Sequence, residues 1–145
     1  MATNSTACSA CGTRNRLPVV TGGRPRCASC KRDLPWLVDV AADEFDELVA
    51  TSALPVLVDL WAPWCGPCRT IAPVLEQLSA DRAGRLRIAK VNVDNAPSVS
   101  AQLGVQGIPP MVLYDGGGEV ARQVGALPAT EISAWLDRAL ASRAG

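Results

Sequence analysis

The apolar positions divide the chain into two unlike stretches. Residues 1–35 hold few large apolar side chains (Leu17, Val19, Val20, Leu34), no aromatic ones, and turn formers at Gly12, Gly22, Gly23 and Pro25. No hydrophobic core can be built from that, so the stretch is disordered unless something staples it. From Trp36 onward the pattern alternates between strand and helix. Trp36–Val40 is a short apolar run, and Asp43 can cap a helix with Phe45, Leu48 and Val49 on one face. Leu54–Trp61, LPVLVDLW, is nearly continuous and rich in branched residues, the pattern of a strand buried on both faces. A helix follows from about Cys65, with Ile71, Val74, Leu75 and Leu78 at helical spacing and a kink at Pro73. Leu86–Val93 alternates as a strand, and Pro97–Leu103 is a short helix closed by Gly104. Met111–Tyr114 and Glu119–Val124 flank the turn 115–118 as a hairpin. Ala129–Ala141 is a final amphipathic helix carrying Ile132, Trp135, Leu136 and Leu140. The order βαβαβαββα predicts an α/β fold with a mixed sheet between helices over residues 36–145, preceded by a small separate domain over residues 1–35.

A chain of 145 residues with 48% hydrophobic and 19% charged residues suits one globular domain with a small appendage. Its net charge of zero hides an asymmetry. Residues 1–35 carry six basic side chains and one acidic, the remainder eight basic and thirteen acidic. Histidine is absent, which removes Cys-His and Ser-His-Asp catalysis and every histidine-ligated metal site. No segment is long and apolar enough to span a bilayer, so no membrane association is expected. The start, MATNSTACSACG, lacks a basic region followed by an apolar one, so it does not read as a secretory signal. A cytoplasmic, thiol-reducing location is therefore expected, where Cys-x-x-Cys is metal-binding or catalytic more often than a structural disulfide.

Three such pairs are present. Cys8/Cys11 and Cys27/Cys30 are separated by fifteen residues, the arrangement of two knuckles that give a tetrahedral zinc ion four thiolates. Structural zinc would also stand in for the missing core, because metal-binding free energy becomes folding free energy. Two disulfides, or a redox use of these pairs, are the competing readings. The basic side chains around them suit phosphate or an acidic protein partner, but the lack of any aromatic weighs against nucleic acid.

The third pair, Cys65-Gly66-Pro67-Cys68, has no further cysteines to complete a metal site. It sits where a buried strand turns into a helix. That puts Cys65 at a helix N-terminus, where unpaired amides and the dipole favour a thiolate. Pro67 fits the first turn because its missing N–H costs nothing there. Cys68 lies one turn inward on the same side. Cys65 is then the attacking sulfur and Cys68 the resolving one, with a static disulfide as the bland alternative.

WAPWCGPCR, residues 61–69, resembles the active-site signature of the thioredoxin family. The resemblance covers about residues 36–145, and with the four-cysteine segment in front the chain resembles the zinc-containing thioredoxin-2 type. It implies a thioredoxin fold behind a small zinc-ribbon-like domain. It also implies a protein disulfide reductase recycled by thioredoxin reductase at the expense of NADPH, with no bound organic cofactor. Asp59 matches the buried aspartate of the family, whose raised pKa lets it take the proton of Cys68 through a water. Lys90 matches the lysine beside that aspartate, and Trp64 the tryptophan flanking the nucleophile. Trp61 lies under the loop and reads as packing, and Pro73 matches the helix-kinking proline. Gly107 precedes the loop in which Ile108-Pro109 matches the Ile-cis-Pro pair that faces the cysteines and pairs with incoming peptide; an ordinary turn proline is the bland reading. Gly125 matches a glycine near the docking groove. Two positions depart from the pattern: Pro110, where threonine is usual, and Leu60, where an aromatic is common. Disulfide-containing proteins are the expected substrates and a monomer the expected state. A binding module on this scaffold, or an oxidase or isomerase on the same fold, are the alternatives.

Overall fold

The computed structural model describes residues 5–17, 25–104, 110–125 and 127–144. Its elements are β1 (Ser5–Ala7), β2 (Arg14–Arg16), β3 (Leu37–Asp39), α1 (Ala42–Thr51), β4 (Val56–Trp61), α2 (Gly66–Asp81), β5 (Arg87–Asn92), α3 (Pro97–Leu103), β6 (Pro110–Asp115), β7 (Gly118–Val124) and α4 (Ala129–Ala144). Among them β1 and β2 form an antiparallel pair, while the other five strands make one sheet in the order β3-β5-β4-β6-β7. Strands β3, β5 and β4 run parallel; β6 and β7 are antiparallel. The mixed sheet expected from the alternation of strands and helices is present.

The β4 run is apolar on both sides because both of its faces are covered. Val56, Val58 and Leu60 join Phe45, Leu48 and Val49 of α1 and Val99 and Leu103 of α3 in one cluster. Leu57 points the other way, into Ile71, Leu75 and Leu78 of α2 and Ile132 and Leu136 of α4. Asp59 shares that second face by alternation, which sets it toward α2. It is the only charged residue of a strand whose first five residues are buried.

Helix α1 begins one residue before Asp43, which lies inside the first turn instead of capping it. The cap is made from the other direction: the Glu44 carboxylate accepts the Ala41 N–H at 3.0 Å. Gly104 closes α3 in the left-handed conformation (φ 63°), a place where glycine has no Cβ penalty. Pro110 opens β6 opposite Val124, where a strand's first residue tolerates a missing N–H.

The segment before β3 packs on the domain. Cys8, Leu17, Cys27 and Leu34 belong to the same apolar cluster as Trp36 and Phe45. The Arg87 guanidinium lies fully buried with its carbon 4.5 Å from the centre of the Trp36 ring. Asp33 comes so close to Gly84, in the turn between α2 and β5, that a Cβ there would lie 2.6 Å from its carboxylate. Ser5, Thr6 and Leu17 share a crevice with Glu76, Ser79 and Ala80 of α2. These contacts fall toward the C-terminal end of α2, whereas Cys65 caps its N-terminus. The helix has 16 residues, so its two ends are about 24 Å apart.

Candidate active site and cysteine cluster

Strand β4 ends at Trp61, and residues 62–65 carry the chain onto α2. Cys65 is the N-cap, extended in backbone, and Pro67 falls in the first turn. Cys65 and Cys68 are joined as a disulfide with their Cα atoms 5.3 Å apart. The Cys68 N–H donates to Cys65 Sγ at 3.2 Å. A sulfur that accepts an amide at a helix N-terminus is stabilised as a thiolate once the disulfide opens. In the disulfide form both sulfur residues are shielded: Cys65 is 2% exposed and Cys68 5%, packed with Ala62, Trp61 and Val93. Trp64, by contrast, is 63% exposed, and its indole N–H donates to Asp94 Oδ1 at 3.2 Å. Gly66 is exposed at the first position of the helix, with open space where a Cβ would stand.

Asp59 is 1% exposed, and its Oδ1 has no hydrogen-bond partner among the described residues. Burial pushes its carboxyl up to about 6, with Lys90 pulling the other way. Lys90 stands opposite Asp59 in the β4–β5 register, and its ammonium lies 5.3 Å from the centre of the Trp61 ring. A cavity of about 140 Å³ joins these groups, lined by Asp59, Trp61, Ala62, Pro63, Cys68, Arg69, Ala72 and Lys90. Its lining is mostly apolar, with Asp59, Arg69 and Lys90 as its charged groups, and it has room for water. A buried carboxyl group and Cys68 therefore line one cavity.

The other four cysteines come together far from this site. The Sγ atoms of Cys8, Cys11, Cys27 and Cys30 all lie within 4.8 Å of one another. Cys8 and Cys30 are 3.6 Å apart at sulfur, and Cys11 and Cys27 3.5 Å. A tetrahedral ion with metal–sulfur bonds of about 2.3 Å spaces its sulfurs about 3.8 Å apart, so the set fits such an ion. The two turns are built alike. Gly12 N–H donates to Cys8 O at 2.8 Å and Lys31 N–H to Cys27 O at 3.0 Å. Cys8 N–H reaches Thr13 O and Cys27 N–H reaches Arg32 O, both at 2.8 Å. Gly12 and Lys31 both take positive φ, 78° and 67°. Asn15 ties the turns together, donating to Thr13 O at 3.0 Å and accepting the Ala28 N–H at 2.9 Å. The Cys30 N–H, then the Asn15 amide, pull the Cys27 thiol down to about 6. At Cys30 the Arg32 N–H is outweighed by burial and the neighbouring sulfurs, and the thiol is pushed up to about 11. Four sulfurs this close repel as thiolates, and a divalent cation relieves the repulsion.

Comparison with known proteins places this arrangement. A family model described as Thioredoxin matches residues 36–138. The chain belongs to the thioredoxin family. It is 46% identical over 95 residues to a thioredoxin of Haemophilus influenzae, 66% of this chain and 89% of the relative. It is 43% identical over 101 residues to thioredoxin 1 of a Nostoc species, covering 70% of this chain and 94% of the relative. Likeness to thioredoxin C-3 of Corynebacterium nephridii extends through the cysteine-rich segment: 38% identity over 141 residues, 95% of this chain and 97% of the relative. With Cys65 and Cys68 bonded at the head of α2, this member of the family is a thiol–disulfide oxidoreductase.

The structure gathers Asp59, Cys68 and Lys90 around one cavity and sets Cys65, Gly66 and Pro67 at the N-terminal end of α2. Gly125 follows β7 with φ 106°, which only glycine adopts freely. Gly107, Ile108 and Pro109 lie outside the described residues. Three residues of these sites escape a reading of the sequence. Asn15 bridges the knuckles, Asp94 holds Trp64, and Arg69 donates to the Pro63 carbonyl at the cavity wall. Arg69 stands in the signature itself, but its partner is set only by the turn of the chain at Pro63.

Proposed function

We propose that this thioredoxin is a protein disulfide reductase with a structural zinc ion in its N-terminal segment. The observation that carries the reading is the joining of Cys68 and buried Asp59 by one cavity, beside a Cys65 sulfur that accepts an amide at a helix N-terminus. Cys65 thiolate attacks one sulfur of a substrate disulfide; that S–S bond breaks, and the other substrate sulfur leaves as a thiolate. Cys68 gives its proton to Asp59 through water in the cavity. The Cys68 thiolate then attacks the Cys65 sulfur, forming the Cys65–Cys68 disulfide and releasing the second substrate thiolate. Two electrons have passed to the substrate, and the product thiolates take up protons, one of them returned by Asp59. Lys90 steadies the carboxylate form of Asp59 between turnovers. Thioredoxin reductase restores the dithiol with the electron pair of NADPH.

In this scheme Trp64 and Gly125 belong to the docking surface, and Ile108-Pro109 pairs with the substrate backbone. Cys8, Cys11, Cys27 and Cys30 hold the zinc, which supplies folding free energy to a segment that has little core of its own. The protein works in the cytoplasm as a monomer on disulfide-containing proteins. Among the described residues no helix is long and apolar enough to cross a membrane.

The reduction potential of the Cys65–Cys68 pair tests the reductase reading. Equilibration in graded dithiol buffers, with alkylated thiols counted by mass, is expected to give a value near the about −270 mV of reducing thioredoxins. A value above about −200 mV would transfer the protein to the oxidases or isomerases.

A further inference from the structure

Asn15 lies on β2 between Arg14 and Arg16, which are exposed, while Asn15 itself is buried. Strand alternation sends its side chain inward, and that side chain carries a donor and an acceptor on one rigid end. Its amide N–H donates to the Thr13 carbonyl at 3.0 Å, and its Oδ1 accepts the Ala28 N–H at 2.9 Å. Both partners are backbone groups of the cysteine turns. Thr13 O also accepts the Cys8 N–H at 2.8 Å and so closes the first turn, and Ala28 directly follows Cys27 in the second. One buried side chain thus fixes the backbone of one turn against the other. A second link, Thr13 Oγ1 to Ser29 Oγ at 3.0 Å, is exposed, where water competes for both hydroxyls.

We propose that Asn15 is a positioning residue for the metal: by clamping the two turns at one separation, it sets the geometry of the four sulfurs about the ion and the strength with which the ion is held. The proposal rests on the reading of Cys8, Cys11, Cys27 and Cys30 as a zinc site. Each turn supplies two sulfurs. The contacts Cys8–Cys30 and Cys11–Cys27, at 3.6 and 3.5 Å, both run between the turns, so a change in the separation of the turns moves both at once. Asn15 acts through the backbone that carries the ligands and adds no charge to the site. Polar groups that stand behind metal ligands orient them, and losing one typically costs about 10- to 100-fold in affinity.

Cobalt(II) in place of zinc makes the geometry visible, because its d–d absorption depends on the arrangement of the sulfurs. The full-length parent saturated with cobalt is expected to show the bands of a tetrahedral site of four thiolates. Asn15→Leu is close in volume but has no polar side-chain atom. It is expected to bind zinc about 10- to 100-fold more weakly in competition with a chelator, and to show shifted and weakened cobalt bands even at saturation. Leu17→Ala separates this from a loss of folding alone. Leu17 is buried just after β2, so its truncation lowers stability, and with it affinity, while the loaded spectrum stays that of the parent. If Asn15→Leu takes up too little cobalt to be read, Asn15→Asp carries the same expectation, since it keeps the acceptor for Ala28 and loses the donor to Thr13. Cobalt bands identical to the parent's, or a zinc affinity within about threefold of it, overturn the positioning role and leave the zinc site standing. A parent that binds neither metal through its thiolates overturns both.

Discussion

Cys8/Cys11 and Cys65/Cys68 share a spacing and little else. After Cys11 the chain turns back at Gly12, and after Cys30 at Lys31, each with positive φ. That reversal leaves each pair of sulfurs free to converge with the other pair on one point. After Cys68 the chain continues as α2 for thirteen more residues, so the pair has a helix behind it and no second pair before it. One backbone gathers four sulfurs where an ion could be held; the other makes a helix end with an amide aimed at sulfur. The two-residue gap fixes only that two sulfurs can meet. What they meet is decided by the conformation of the residue that follows.

Breaking each pair separately should give opposite losses. Cys65→Ser with Cys68→Ser is expected to abolish disulfide reduction while metal content stays at one ion per chain. A double variant that still reduces disulfides would end the division of labour. Removing ligands of the ion, with Cys27→Ser and Cys30→Ser together, is expected to unfold the N-terminal segment. The reductase rate should hold within about threefold, since the active site lies at the other end of α2. Amide exchange of residues 5–17 against residues 56–61 would read the difference.

Asp59→Asn sharpens the active-site half of the comparison, since it should cost rate and add stability together. Resolution at neutral pH is expected to slow about 100-fold, the usual contribution of a positioned base. The stability effect follows from linkage. Asp59's pKa is raised on folding, to about 6, so the folded form binds its proton more tightly than the unfolded chain does. Stability associated with this group is full below the ordinary carboxylate range and is lost as pH rises through about 6. The neutral variant escapes that loss and should be more stable at pH 8 by on the order of 2 kcal/mol, with the difference vanishing below about pH 4. Denaturant melts at the two pH values measure it. The smallest effect belongs to Gly84→Ala, which sets a Cβ against Asp33 at a positive φ. It should cost about 1–2 kcal/mol, felt as early loosening of residues 25–34 with the reductase rate unchanged.

Much of this molecule is written in its local pattern. Branched apolar residues through β4, helical spacing through α2 and the glycine after α3 specify their elements because each is a short-range preference of side chain and backbone. The three Cys-x-x-Cys pairs were equally legible, since spacing along the chain bounds the separation of sulfurs in space. Asp59 stood out as a charge in a buried run, but its link to Cys68 is a fact of two elements meeting across one cavity. The start of α1 shows the limit at short range: Asp43 has the chemistry of a cap, yet Glu44 reaches back and makes the bond. Contacts between distant stretches were beyond reach of any pattern. Arg87 stacked on Trp36, Asp33 against Gly84, and Asn15 across the knuckles each join residues brought together only when the segment docks. Sequence by itself determined which elements form and which sulfurs can pair, because those follow from neighbours within a few residues. Tertiary structure alone decided where the cysteine cluster packs on the domain and that Asp59 and Cys68 line one cavity, because those depend on surfaces that exist only after the sheet and helices have packed.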